Sequence, residues 1–210
     1  MQQLQGFAIG LTLGALGASA LLLTPVRQEG GRPSADPQAA GQGPDQDMQA
    51  RMQALAAPGE PHRMLAAGAG EWNLTNKMRM SADLPWMEAK GSMRAQMLLG
   101  GRWLEQKIEL DMGPMGKMEG FQLIGFDNLA QEYVAFWLDS FSTWPVMSRG
   151  KLQEDGSIDF RGTMIDVAGE RPFRMVTSET ADGRALTRMF DTIPPHGEIE
   201  VMTVEAVRKP

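Results

Sequence analysis

Residues 98–150 read LLGGRWLEQKIELDMGPMGKMEGFQLIGFDNLAQEYVAFWLDSFSTWPVMSRG, and this stretch decides the fold. β-prone runs of about ten residues alternate with turn chemistry at Gly100-Gly101, Gly113-Pro114, Asp127-Asn128 and Ser142-Thr143. Within a run the period is two. Leu104, Ile108 and Leu110 fall on one face, and Glu105, Lys107 and Glu109 fall on the other. The repeating unit is a hairpin with one apolar face.

Followed outward in both directions, a beat of about 14 residues predicts ten strands: 71–81, 88–99, 102–112, 117–127, 131–140, 145–153, 157–166, 171–180, 184–193 and 198–208. Turn residues separate them, among them Pro85, Asp155-Gly156, Ala168-Gly169, Asp182-Gly183 and His196-Gly197. Connections this short join only antiparallel neighbours, because a parallel crossover needs a dozen or more residues. A twisted ten-stranded meander hides its apolar face, and removes its edges, by curling closed. The fold class expected is all-β, an antiparallel up-and-down barrel. An outer-membrane barrel would need an apolar outside and aromatic girdles, and this chain scatters its aromatics and ends Val207-Arg208-Lys209-Pro210.

Two further segments precede the barrel. Residues 6–23 carry no charge and only Thr12 and Ser19 as polar side chains, and at about 1.5 Å per residue such a run approaches the thickness of a bilayer core. An uncleaved anchor and a cleaved signal peptide, with Ala18-Ser19-Ala20 as its site, both fit. Residues 28–47 are Gly, Pro, Gln, Asp and Ala with little apolar bulk, the composition of a tether. Met48, Met52 and Leu55 at helical spacing predict a short amphipathic helix stopped by Pro58-Gly59, and a further helical turn is expected at 61–67. The expected organisation is thus a signal anchor or signal peptide at 1–27, a linker with a short helix at 28–60, and a barrel domain at 61–210. The location expected is membrane-anchored or exported, in the cell envelope or periplasm.

Composition narrows the chemistry. A net charge of -6 with no basic patch opposes nucleic acid as a partner. The absence of cysteine removes disulfides, thiolate metal sites and a Cys nucleophile. His62 and His196 are the only histidines and neither is placed for a Ser-His-Asp arrangement, so no catalytic set is expected.

Gly70-Glu71-Trp72 opens the first strand as G-x-W and Arg208 lies near the end of the last. The pair resembles the signature of calycin and lipocalin barrels, in which the Arg lies across the Trp ring in a cation–π contact. Beyond that signature, residues 58–65 (PGEPHRML), 70–72 (GEW), 99–104 (LGGRWL), 125–128 (GFDN), 133–140 (YVAFWLDS) and 204–208 (VEAVR) resemble the bacterial family called domain of unknown function 1579. The resemblance spans the whole domain and implies a lipocalin-like fold. It implies no activity, and Phe126 stands where the family often has Tyr.

Gly70, Trp72 and Arg208 are therefore expected to be structural. Asp127 is expected to be a turn residue. For a ligand, the inward face offers Met78, Met80, Gln106, Gln122, Trp137 and Asp139, a mostly apolar lining with a few polar groups suited to a small apolar or amphipathic molecule. Small inward residues, Gly120, Ala135, Gly150 and Gly162, hint at space inside. Met78 and Met80, and Met112, Met115 and Met118 around one turn, could bind Cu(I), but with no Cys and no nearby His packing or pocket lining is the expected role. Haem, which nitrobindin barrels hold through a His, finds no convincing axial ligand, so no cofactor is expected. A tethered interaction module with a packed, ligand-free barrel is the alternative function, and an enzyme ranks third.

Overall fold

The computed structural model describes residues 44–166, 169–180 and 183–210. Helices α1 (Pro44–Ala56) and α2 (Glu60–Ala67) precede ten strands: β1 (Gly70–Met78), β2 (Met87–Leu98), β3 (Trp103–Asp111), β4 (Lys117–Asp127), β5 (Glu132–Asp139), β6 (Val146–Leu152), β7 (Ile158–Asp166), β8 (Gly169–Glu179), β9 (Ala185–Ile193) and β10 (Gly197–Arg208). Every expected strand is present, with ends shifted by a few residues. The apolar run at 6–23 and residues 28–43 of the expected tether lie outside the described residues, whereas 44–47, expected as tether, form the first turn of α1. Among the described residues no helix is long and apolar enough to cross a membrane.

All neighbours are antiparallel, and β1 pairs with β10 to close the barrel. Closure brings Trp72 opposite Arg208 in register, with the Arg208 guanidinium carbon 4.2 Å from the Trp72 ring centroid. The guanidinium also donates to the carbonyls of Ala69 and Ala67, both at 2.6 Å, and the Trp72 indole N–H donates to the Gly68 carbonyl at 3.1 Å. Gly70 makes this possible. Its φ of +137° lies where side chains are rarely found, and a Cβ there would sit 2.4 Å from Arg208 Nη1. The expected calycin signature is thus a lock of three residues joining the first strand to the last.

One barrel end is closed by α2. Leu65 packs with Leu104, Tyr133, Ala135 and Phe160, and His62 meets the Phe126 ring edge-on at 6.0 Å. His62 also closes the helix start, its Nδ1 accepting the Gly59 N–H at 3.0 Å. Burial, then Arg102, lower its pKa, against a backbone hydrogen bond with Phe126 that raises it. The expected apolar stripe of α1 packs on nothing, since Met48, Met52 and Leu55 are all exposed. The helix is held instead by its C-terminal carbonyls: Arg102 donates to Ala56, and Asn128 donates to Leu55 and Ala57. Unsatisfied C=O groups at a helix end are natural partners for such donors.

Candidate functional site

Side chains of register partners share a sheet face, so the pairing carries the inward row from strand to strand. Starting from buried Leu104, the row passes through Gln106, Ile108 and Leu110 on β3 to Ile124, Gln122, Gly120 and Met118 on β4. It continues to Ala135, Trp137 and Asp139 on β5. Around the barrel it takes in Phe160, Met175, Thr177, Thr187, Met189, Met202 and finally Met78. Five of the six expected lining residues, Met78, Gln106, Gln122, Trp137 and Asp139, lie in this row. Met80 does not: it follows the end of β1 and is 71% exposed, because the strand stops at Met78 and the chain turns away.

The space attributed to small inward residues is partly taken. A Cβ on Gly120 would meet the Trp137 ring at 2.5 Å, one on Gly150 the Phe160 ring at 2.7 Å, and one on Gly162 the Phe173 ring at 2.7 Å. Each ring comes from the neighbouring strand and fills the gap at the glycine. The methionines of the β3–β4 turn also divide: Met112 and Met118 are core residues, whereas Met115 is exposed.

The interior is nonetheless not uniformly packed. Gln106, Gln122, Met175 and Met189 are mid-strand, inward and only half-buried, and so are Trp137, Thr177 and Thr187 nearer the strand ends. Gln106 and Gln122 are register partners, and the hydroxyls of Thr177 and Thr187 hydrogen-bond to each other at 3.1 Å. Asp139 orders the mouth opposite α2. Its Oδ2 accepts the Trp137 indole N–H at 2.7 Å, and its Oδ1 accepts the N–H groups of Phe141 and Ser142 at 2.9 and 2.8 Å. Asp127 does the corresponding turn work at the α2 end, accepting from Leu129 and Ala130, and these bonds lower its pKa.

Three inward polar positions were not singled out from sequence. Arg171 is forked between two carboxylates, donating to Asp166 at 2.7 and 2.9 Å and to Asp191 at 2.9 and 3.2 Å; its side chain is 12% exposed and that of Asp191 is 7%. The bonds to Asp166, then those to Asp191, raise the Arg171 pKa. Asn76, 2% exposed, has an Oδ1 with no partner. The signal for Arg171 and Asp191 was available: they alternate with Phe173 and Met175 on β8 and with Met189 on β9, in the period-two pattern of an inward row.

Two pockets lie where this row reaches the barrel ends, through Met87, the register partner of Met78, at one end and through Phe126 and Tyr133 at the other. One of about 350 Å³ is lined by Lys77, Trp86, Met87, Glu88 and Thr203. The other, about 320 Å³, lies beside α2 and is lined by residues including Met64, Phe126, Tyr133, Lys151 and Leu152.

A family model matches residues 57–208, nearly the whole of this barrel with its capping helix. The chain belongs to the family described as "Protein of unknown function (DUF1579)". Among solved structures, the S-type phycobiliprotein lyase CPES from Guillardia theta is similar, with a TM-score of 0.54 at 9% identity over 72% of this chain and 94% of that one. A search of curated proteins finds no match. This DUF1579 member therefore has a lipocalin-like, ten-stranded barrel, and the likeness to the lyase is one of fold.

Proposed function

We propose that the barrel binds a small, mostly apolar, amphipathic molecule in its lumen, entering at the end opposite α2. One observation carries this reading. Mid-strand side chains that point inward, Gln106 and Gln122 on β3 and β4 and Met175 and Met189 on β8 and β9, keep accessible surface, and surface at such positions faces the lumen. The lining mixes Met and aromatic side chains with a few amides and hydroxyls, the pattern that orients a ligand. Met78, Gln106, Gln122, Trp137 and Asp139 are its proposed contacts. The lipocalin-like fold supports the same reading, while the lyase's chemistry is not carried over. Native mass spectrometry of the purified protein and displacement of a fluorescent fatty-acyl probe test it. Retained small molecule or saturable displacement is expected; neither appearing would remove the proposal.

The apolar run at 6–23 supports a membrane tether in the cell envelope, checked by fractionation and N-terminal sequencing of the mature protein. Full-length protein recovered in the soluble fraction without detergent would count against the anchor.

A second reading, the interaction module, has its own observation. On the outer face of β4–β6, Phe121 pairs with Leu138, Leu123 with Phe136, and Phe136 with Met147. Trp103 joins them, its ring 6.2 Å from that of Phe136. Outward positions of β1 and β2 are polar by contrast, including Glu71, Lys77, Glu88, Lys90 and Arg94. Chemical cross-linking through Arg149 or Lys151 with loss of the adduct in Phe136→Ser would favour this reading over the lumen.

A further inference from the structure

Beyond lumen binding, we propose that the barrel end opposite α2 docks on the surface of a neutral, zwitterionic lipid bilayer. Among the described residues, the three most exposed aromatic side chains, Trp86, Phe141 and Trp144, all lie on loops at this end. With Leu84 and Met115 they are 41–54% exposed and come from three alternate hairpins, β1–β2, β3–β4 and β5–β6, whose turns are neighbours at this end. They form an arc along the mouth, whereas a flat patch on the wall would suit a protein partner.

These loops are held in shape. Asp139 fixes the amides of Phe141 and Ser142. Asp111 accepts the Gly113 N–H at 3.0 Å in the turn that presents Met115. The Arg79 guanidinium lies 4.7 Å from the Trp86 ring centroid and donates to the Ala82 and Glu200 carbonyls. The rim therefore displays its apolar side chains from ordered backbone. Trp and Phe at such a rim suit the boundary between headgroups and acyl chains, where an amphipathic ring is favoured.

Charge selects the lipid. Lys77, Arg79, Lys90 and Lys117 at this end are offset by Asp83, Glu88, Asp111, Glu198 and Glu200, and the chain carries a net charge of -6, so among the described residues there is no basic cluster to draw anionic headgroups. Chain length permits the geometry. The 20 residues between Leu23 and Pro44 can span at most about 70 Å, more than the roughly 40 Å of a 12-residue strand. A segment 6–23 seated in a membrane and a rim resting on the same membrane are compatible, although α1 is held at the far end of the barrel.

The lack of native cysteine makes the test direct. Full-length protein carrying a single environment-sensitive fluorophore is reconstituted with phosphatidylcholine vesicles, labelled at Leu84→Cys or Phe141→Cys on the rim, or at Leu99→Cys or Leu129→Cys at the other end. Rim labels should brighten at least about twofold and lose access to aqueous iodide, while labels at 99 and 129 stay quenchable. Trp86→Ser with Trp144→Ser should abolish the rim response and leave the circular-dichroism spectrum unchanged. Equal exposure of both ends overturns the proposal. So does shielding that follows protein concentration instead of lipid, which would mean a second copy covers the rim. The lumen reading is untouched by either outcome, because its probe-displacement assay needs no membrane.

Discussion

At Gly70 a single hydrogen in place of a methyl group lets the first and last strands lock. Gly70→Ala forces a strained φ and drives a methyl into Arg208, so a loss of about 1–3 kcal/mol is expected in chemical denaturation. Arg208→Lys should cost less, about 0.5–2 kcal/mol, because the charge remains but the planar stack over Trp72 does not. This lock was legible because G-x-W and a terminal Arg occupy fixed positions in a closed meander. His62 was not, since its role depends on a helix folding back over the barrel end. Its pKa is lowered by burial and by Arg102, so between the folded pKa and the ordinary 6.5 the unfolded chain binds more protons. Stability from His62 is therefore full above pH 6.5 and is lost as pH falls through that window. Thermal melts of His62→Gln should lack this loss, and an unchanged pH slope would show that His62 does not set it.

Period-two alternation made the strands readable, because each side chain's face follows from its parity once one buried anchor is known. The same alternation misled about space. A glycine in an inward row signals a missing side chain, but only the register reveals that Trp137, Phe160 or Phe173 fills the gap. Gly150→Val should accordingly cost about 1–3 kcal/mol by overpacking against Phe160, measured by urea denaturation. The Arg171 fork belongs to this scale as well, joining β7, β8 and β9 through one side chain. Arg171→Met removes the guanidinium that both carboxylates share in a partly buried site, for a loss of up to about 3–5 kcal/mol at neutral pH. Arg171→Lys, which keeps a cation at this position, should lose less. An equal loss in both variants would mean that packing alone is responsible.

Closure of the whole barrel follows from ten short-connected strands with one apolar face, but how full the closed barrel is depends on rotamers, which sequence parity does not specify. α2 and the rings over glycines fill one part of the lumen, and half-buried Gln122, Thr187 and Met189 line another. A large residue at position 122 separates an open lumen from a packed one. In an open lumen, Gln122→Trp takes up free volume, loses one amide that makes no required contact, and should change stability by less than about 1 kcal/mol. In a packed lumen the same indole must displace neighbours at about 1–3 kcal/mol. Binding separates the cases a second time. Wild-type protein with probe at 100 times its Kd should gain about 2.7 kcal/mol through linkage, a shift visible in its thermal melt. The Gln122→Trp protein, folded and equally stable without probe, should show no such shift, because the indole occupies the volume that the acyl chain needs.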